Sequence, residues 1–165
     1  MKKIIGFLLI AAIAAYGIGH FNLGETGAIR FLAQMESLMN EGDASKVCAM
    51  LHEDLEVEIA DHSGEALHQL SGGKKELCEL TRATIAALQM VPHEMKVDYT
   101  DVNATRKLSS PWTSELSYAE HRTFTVPGAN ITLRTISNDQ ITLVQTLSGV
   151  KLRKLKSEVF KTEAT

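Results

Sequence analysis

The segment LHEDLEVEIADH, from Leu51 to His62, carries five carboxylates and two histidines within twelve residues. Such a set could hold a metal ion, supply an acid/base pair, or form the polar side of a strand. Apolar and polar residues alternate from Leu55 to Ala60, which predicts a half-buried strand with Glu56 and Glu58 on its solvated face. The segment has no ligand spacing of histidines on one face, so it predicts no metal site.

A second group of candidates is aromatic or ionisable and falls on strands predicted for the C-terminal half: Tyr99, Trp112, Tyr118 and His121. On the wall of one pocket these groups would bind a small amphipathic ligand, and His121 could serve there as a general base. Tyr118 and His121 are three residues apart, so an unbulged strand places them on opposite faces and at most one lines the pocket. Trp112 is equally suited to closing one end of the core.

The helices that would position these groups are indicated by apolar stripes. The first stripe predicts a long amphipathic helix through Ala28, Phe31, Leu32, Met35, Leu38 and Met39. Asp43 is a good N-cap for a short second helix. A third helix is predicted over SGGKKELCELTRATIAAL, capped by Ser71 and ended by Pro92. Its inward residues would be Leu77, Leu80, Thr84 and Leu88.

The strands are indicated by alternation. The segment from Glu65 to Leu70 would return as a hairpin onto the first strand, and everything after Pro92 is typical of strands. Tyr118 alternates with Leu116, and Glu120 and Arg122 fall on the same side. VPGAN and TLSGV predict turns, while ISNDQI fits either a hairpin turn or a bulge within one long strand. The order of elements predicts an α+β domain with helices packed on one sheet face.

The N-terminus differs from the rest of the chain. MKK is followed by an uncharged apolar run from Ile4 to Gly19, which is typical of a bacterial signal peptide or an uncleaved membrane anchor. The predicted organisation is therefore a signal or anchor over residues 1–19, a short joint over 20–27, one domain over 28–160 and a tail over 161–165. The positive charges predict that the domain faces the periplasm, with membrane contact only through an uncleaved N-terminus.

Export affects the interpretation of the two cysteines. Cys48 and Cys78 would lie in an oxidising compartment, where a disulfide is allowed, and the alternative is a pair of buried thiols. The formal net charge of −3 argues against nucleic acid as a partner. No Ser/His/Asp or Cys/His set and no phosphate-binding loop is recognisable, and no cofactor is expected.

The order of elements, together with MNEGDASKVCAMLHEDLEVEI, SGGKKELCEL and TLSGVKLRKLKSEV, resembles the nuclear transport factor 2-like superfamily, which includes the SnoaL-like proteins. The resemblance covers Ala28 to Val159. It implies a cone in which three N-terminal helices pack on a strongly curved antiparallel sheet around one apolar pocket. It also implies a homodimer.

The resemblance extends to enzymes and to binding domains, since this fold hosts many functions. In the ketosteroid-isomerase-like relatives a helix tyrosine and a strand aspartate carry the chemistry. The matching positions here are Met35 and Ile59, which neither donate nor accept a proton. Asp61 could replace the aspartate only if the register shifts.

Three functions therefore stand as hypotheses. The first is an exported, non-catalytic dimer that binds a small apolar ligand or a protein partner. The second is an isomerase, dehydratase or hydrolase with His121 or Asp61 as base. The third is a membrane-tethered periplasmic scaffold of an envelope assembly.

Overall fold

The computed structural model describes residues 23–64, 67–106, 109–129 and 131–164. The signal or anchor predicted over residues 1–19 lies outside the described residues. In chain order the elements are α1 (Glu25–Asn40), α2 (Ala44–Ala49), β1 (Leu51–Asp61), β2 (His68–Gly72), α3 (Lys74–Gln89), β3 (Glu94–Thr105), β4 (Thr113–Val126), β5 (Ile131–Thr146) and β6 (Gly149–Ala164).

The first two helices form where the apolar stripe and the Asp43 cap predict them. In α1 the buried residues include Ala28, Phe31 and Leu32, although the helix begins at Glu25, within the segment predicted as a joint. Asp43 caps α2, since its Oδ1 accepts a hydrogen bond of 2.9 Å from the Lys46 backbone N–H. This bond satisfies one of the donors that a helix start leaves free.

Helix α3 departs from its prediction in its cap and its facing. Ser71 belongs to β2, and the N-cap is Gly73, whose N–H donates to Glu76 Oε2 at 2.9 Å. The most buried positions are Cys78, Thr81 and Ile85, whereas Leu80 is 45% exposed. Cys78 is bonded to Cys48 of α2, which turns this side of α3 toward the core.

The six strands form one curved sheet in the order β2-β1-β6-β5-β4-β3. All neighbouring pairs are antiparallel except β1 and β6, which run parallel, so the sheet is mixed rather than wholly antiparallel as expected. The last strand, β6, lies in the interior of the sheet between β1 and β5, although α3 and the β3–β5 meander separate it from β1 in sequence. Helix α3 follows the first hairpin, so only α1 and α2 precede the sheet.

The core lies between the helices and one face of the sheet. It is built from Leu23, Phe31 and Leu32 on the helix side and from Leu51, Leu143 and their neighbours on the sheet side.

ISNDQI is neither a turn nor a bulge, since residues 136–141 pair continuously with both β4 and β6. The predicted tail is also different, because β6 continues to Ala164.

Candidate functional site

A cavity of about 300 Å³ lies between the helices and the sheet. The helix side of its wall is apolar, with Phe31, Leu32, Met35 and Met39 from α1 and Leu77 and Leu80 from α3. The sheet side combines apolar residues with a cluster of polar ones. We call this polar group the inner cluster: Tyr99, Tyr118, Glu120, Arg122, Ser137, Asp139 and Ser157, with Glu36 of α1 facing it.

Strand pairing explains why these residues meet. Tyr118 lies directly opposite Asp139, which in turn lies opposite Ser157. Two residues along β4, Glu120 lies between Tyr99 and Ser137. Residues opposite each other across antiparallel strands share a face, so six residues of the inner cluster form two cross-strand rows on the side that the helices cover, and Arg122 lies two residues further along β4.

Asp139 is the most deeply buried carboxyl of the inner cluster. It is 6% exposed, and its Oδ2 accepts a hydrogen bond of 3.1 Å from the Ser137 hydroxyl. Its Oδ1 has no hydrogen-bond partner among the described residues. Burial raises the pKa of Asp139, and the neighbouring hydroxyls of Ser157, Ser137 and Tyr118 offset this only in part.

Glu120 and Arg122 form the only ion pair found within the cavity lining as described. Arg122 Nη2 and Glu120 Oε1 are 2.5 Å apart, and the Glu120 side chain is far more buried than that of Arg122. Burial nevertheless raises the pKa of Glu120, because the lowering by Arg122 is smaller than the cost of desolvation. Burial raises the pKa of Glu36 in the same way, again against the influence of Arg122.

The two tyrosines complete the sheet side of the cavity. Their rings meet edge to face with centroids 5.6 Å apart. Burial raises the pKa of both Tyr99 and Tyr118 above the ordinary value, and nearby carboxylates add to the shift. Both hydroxyls therefore stay protonated at neutral pH and are available to donate hydrogen bonds.

Chemically, the cavity offers apolar contact along most of the helix side and part of the sheet, and hydrogen bonding at the inner cluster. Three carboxyl groups and one guanidinium face it. No group of three or more metal-ligating side chains is found among the residues that the structure describes.

The structure places the four predicted pocket residues differently. Tyr99 and Tyr118 line the cavity, whereas Trp112 and His121 do not. His121 follows Glu120 on β4 and therefore points to the opposite face, where its Nε2 lies 3.2 Å from Thr100 Oγ1. Trp112 precedes β4 and is 42% exposed. The prediction that Tyr118 and His121 lie on opposite faces is confirmed.

Asp61 ends β1 outside the cavity lining, and its Oδ1 accepts a hydrogen bond of 2.8 Å from the Ser63 N–H. This bond, together with the Ser63 hydroxyl, lowers its pKa. A general base is thus found neither at His121 nor at Asp61 in the cavity. Cys48 and Cys78, predicted as a disulfide or as two thiols, are joined to each other.

The acidic segment from Leu51 to His62 forms β1, as its alternation predicts. Its carboxylates are solvated or paired with lysines: Glu53 lies 2.6 Å from Lys74 Nζ, and Glu56 lies 3.4 Å from Lys154 Nζ. The polar side of a strand is therefore the correct interpretation of this segment.

Sequence reasoning missed Glu120, Arg122 and Asp139 as site residues. The signal for the first two was present, because they alternate with Tyr118 on one side of a predicted strand. Asp139 was hidden by the polar composition of ISNDQI, which favours a turn.

Comparison with solved structures identifies the architecture. The fold is that of the nuclear transport factor 2-like proteins. An NTF2-like protein with a cystatin-like fold from Novosphingobium aromaticivorans superposes with a TM-score of 0.58 at 16% identity, over 78% of this chain and 77% of that one. Aln2 from a Streptomyces species gives a TM-score of 0.61 at 16% identity, over 79% and 86% of the two chains.

An enzyme shares the same architecture. Hexachlorocyclohexane dehydrochlorinase LinA-type3 from Novosphingobium barchaimii gives a TM-score of 0.55 at 11% identity, over 85% of this chain and 88% of that one. At these identities the likeness establishes the fold alone.

No protein-family model and no curated protein sequence matches the chain. Across the described part of the chain, no helix has the length and apolar character needed to cross a membrane.

Proposed function

We propose that this domain binds a small molecule with an apolar body and a polar end in the cavity between its helices and its sheet. The observation that carries the proposal is the division of the cavity wall into an apolar helix side and a polar inner cluster. Sites for small molecules are typically apolar concavities with a few convergent polar groups. The volume of about 300 Å³ is at the lower end of that class, so the ligand is small.

The orientation of the ligand follows from this division. Its apolar body lies against Met35, Met39 and Leu80, and its polar end meets Tyr99, Glu120 and Asp139. Buried polar groups without partners are costly, so a ligand that pairs with them gains affinity and specificity together.

We also propose that the domain works outside the cytoplasm, in the periplasm or tethered to the inner membrane, and that it forms a homodimer. The basic and apolar start of the sequence supports export. The Cys48–Cys78 bond supports it independently, because disulfides persist in oxidising compartments. The alternative is that the domain is a membrane-tethered scaffold in the same compartment and binds an envelope protein.

A second candidate function is acid/base catalysis on the bound molecule. Asp139 favours it, because a carboxyl with a raised pKa beside a tyrosine hydroxyl can exchange a proton with a ligand. The dehydrochlorinase with the same fold supports this candidate, because it is an enzyme built on this architecture. Asp139 replaces His121 and Asp61 as the candidate base.

Native mass spectrometry of the protein recovered from the envelope of its host tests the proposal. We expect a bound small molecule on the wild-type chain and on Thr100→Phe, which adds the same bulk on the exposed face of β3. Thr84→Phe should lose the molecule, because Thr84 lines the cavity. A wild-type chain that is empty, or a Thr84→Phe chain that keeps its adduct, contradicts the proposal.

A further inference from the structure

The charges that face the cavity are unequal in number. Glu36, Glu120 and Asp139 come from three different elements, and Arg122 is the one cation in the described lining. Arg122 is paired with Glu120 at 2.5 Å. Two carboxyl groups are then left facing an apolar cavity without a counter-ion in contact.

Asp139 indicates which kind of ligand group would pair with these carboxyls. Asp139 lines the cavity, and its buried Oδ1 accepts no hydrogen bond from any described residue. Nearly all buried polar atoms in folded proteins have a partner, and an unpaired one costs stability. When Asp139 is ionised, the partner that Oδ1 lacks is a hydrogen-bond donor, because a carboxylate oxygen only accepts.

We propose that the polar end of the ligand is a protonated amine, which donates to Asp139 Oδ1 and balances the charge that Glu36 and Asp139 bring to the cavity. This inference rests on the function proposed above and names the chemical class of its ligand. An alcohol would supply the donor without the charge. A carboxylate or phosphate would supply neither, and would be repelled by the three carboxyl groups.

Arg122 is consistent with this assignment. Its Nε also lacks a partner among the described residues, but its side chain is 42% exposed and its charge is already matched by Glu120. A neutral oxygen on the ligand body satisfies such a donor without adding negative charge.

The titration behaviour agrees with the geometry. Burial raises the pKa of Glu36, Glu120 and Asp139 in the protein itself. The groups facing Asp139 are the tyrosine hydroxyls of β3 and β4, the Ser137 and Ser157 hydroxyls, Arg122 and the other two carboxyls. An ammonium group placed among them lowers the carboxyl pKa values, so binding releases protons at any pH where these carboxyls are partly protonated.

The test uses three probes with one body and different ends: phenylbutylamine, phenylbutanol and phenylbutanoate. Isothermal titration calorimetry of the wild-type protein should show the amine binding about tenfold or more tightly than the alcohol. The carboxylate should bind most weakly. Repeating the amine titration in buffers of different ionisation enthalpy should reveal proton release.

Variants locate the effect. Asp139→Asn keeps an acceptor oxygen and removes the charge, so it should lose the amine preference and retain the alcohol. Glu36→Gln should reduce the preference by a smaller factor. Asp54→Asn makes the same exchange at a side chain that is 80% exposed on β1, and it should behave as wild type.

The two proposals fail in different ways. Binding of all three probes with equal affinity, or an amine preference that survives in Asp139→Asn, overturns the amine assignment and leaves the pocket function standing. Absence of binding by every probe overturns both.

Discussion

The acidic strand β1 and the inner cluster contain the same kinds of residues in opposite environments. On β1, Glu53, Glu56 and their neighbours are crowded in sequence, and they are solvated or paired with lysines. In the inner cluster, Glu120 and Asp139 are isolated in sequence and buried, and burial raises their pKa values. In this protein the dense run of charges marks a solvent-exposed strand face, while single charges at inward-facing strand positions mark the candidate binding site.

The largest effect is expected from the disulfide, because it holds α3, one wall of the cavity, against α2. The bond closes a loop with a sequence separation of 30, and its removal in the double variant Cys48→Ala, Cys78→Ala should cost about 3.5 kcal/mol in the chain-entropy model. Urea unfolding measures this loss. Probe binding should fall as well, since the cavity loses its cover, whereas unchanged stability would show that α3 is held by packing alone.

The next largest effect comes from comparing Arg122, a cation of the inner cluster, with Lys154, an exposed cation on β6. Arg122→Met leaves Glu120 buried without its partner and should cost about 2 kcal/mol, less than a fully buried pair because Arg122 is partly exposed. Lys154→Met removes an exposed partner of Glu56 and should cost below about 0.5 kcal/mol. If urea unfolding showed the same loss of stability in both variants, the inner cluster and β1 would not differ in how strongly they depend on their cations.

The pH dependence of stability sharpens the comparison further. The folded pKa of Asp139 lies above its unfolded value, so the folded chain binds this proton more tightly. Stability is therefore lost as pH rises from about 4 through the folded pKa. Asp139→Asn should escape this loss and be about 1–2 kcal/mol more stable than wild type once Asp139 is ionised.

The matched exchange Asp54→Asn, at a side chain that is 80% exposed, should stay within about 0.5 kcal/mol of wild type. Thermal unfolding between about pH 4 and pH 8 measures both curves. A curve for Asp139→Asn that runs parallel to wild type would show that Asp139 is not strained by burial.

The smallest effects concern two neighbours on β4 that face opposite ways. Tyr118→Phe removes a buried hydroxyl beside Asp139 and should cost about 1 kcal/mol. His121→Gln changes a group on the other face and should stay within about 0.5 kcal/mol. Amine-probe affinity should fall only in Tyr118→Phe, and a comparable fall in His121→Gln would place His121 in the binding function after all.

Much of the fold could be predicted because its local signals agree with its global structure. The stripe of α1, the Asp43 cap and the alternation of β1 and β4 each depend on periodicity alone. The parallel pairing of β1 with β6 depends on contacts between distant segments, which no local pattern specifies. The facing of α3 was only partly predicted: Leu77, Leu80 and Thr84 line the cavity, but the helix side that carries Cys78 is more deeply buried because Cys78 is bonded to Cys48.

The candidate site was predicted less well than the fold. Tyr99 and Tyr118 were found because aromatic residues on an inward face are expected to line a pocket. Asp139 was missed because Ser, Asn and Asp favour turns in isolation, and only its two neighbouring strands hold it in an extended conformation. Its environment, which gives it chemical interest, is a property of the assembled sheet.

The central position of β6 constrains when the protein can acquire its structure. Within the sheet, β6 alone connects the β1–β2 hairpin to the β3–β5 meander, and it contributes Leu155 and Ser157 to the cavity wall. Synthesis delivers the chain from its N-terminus, so sheet and cavity remain incomplete until β6 has emerged. A chain interrupted before β6 would be left with two separate pieces of sheet, each with an open hydrogen-bonding edge, and would be prone to aggregate.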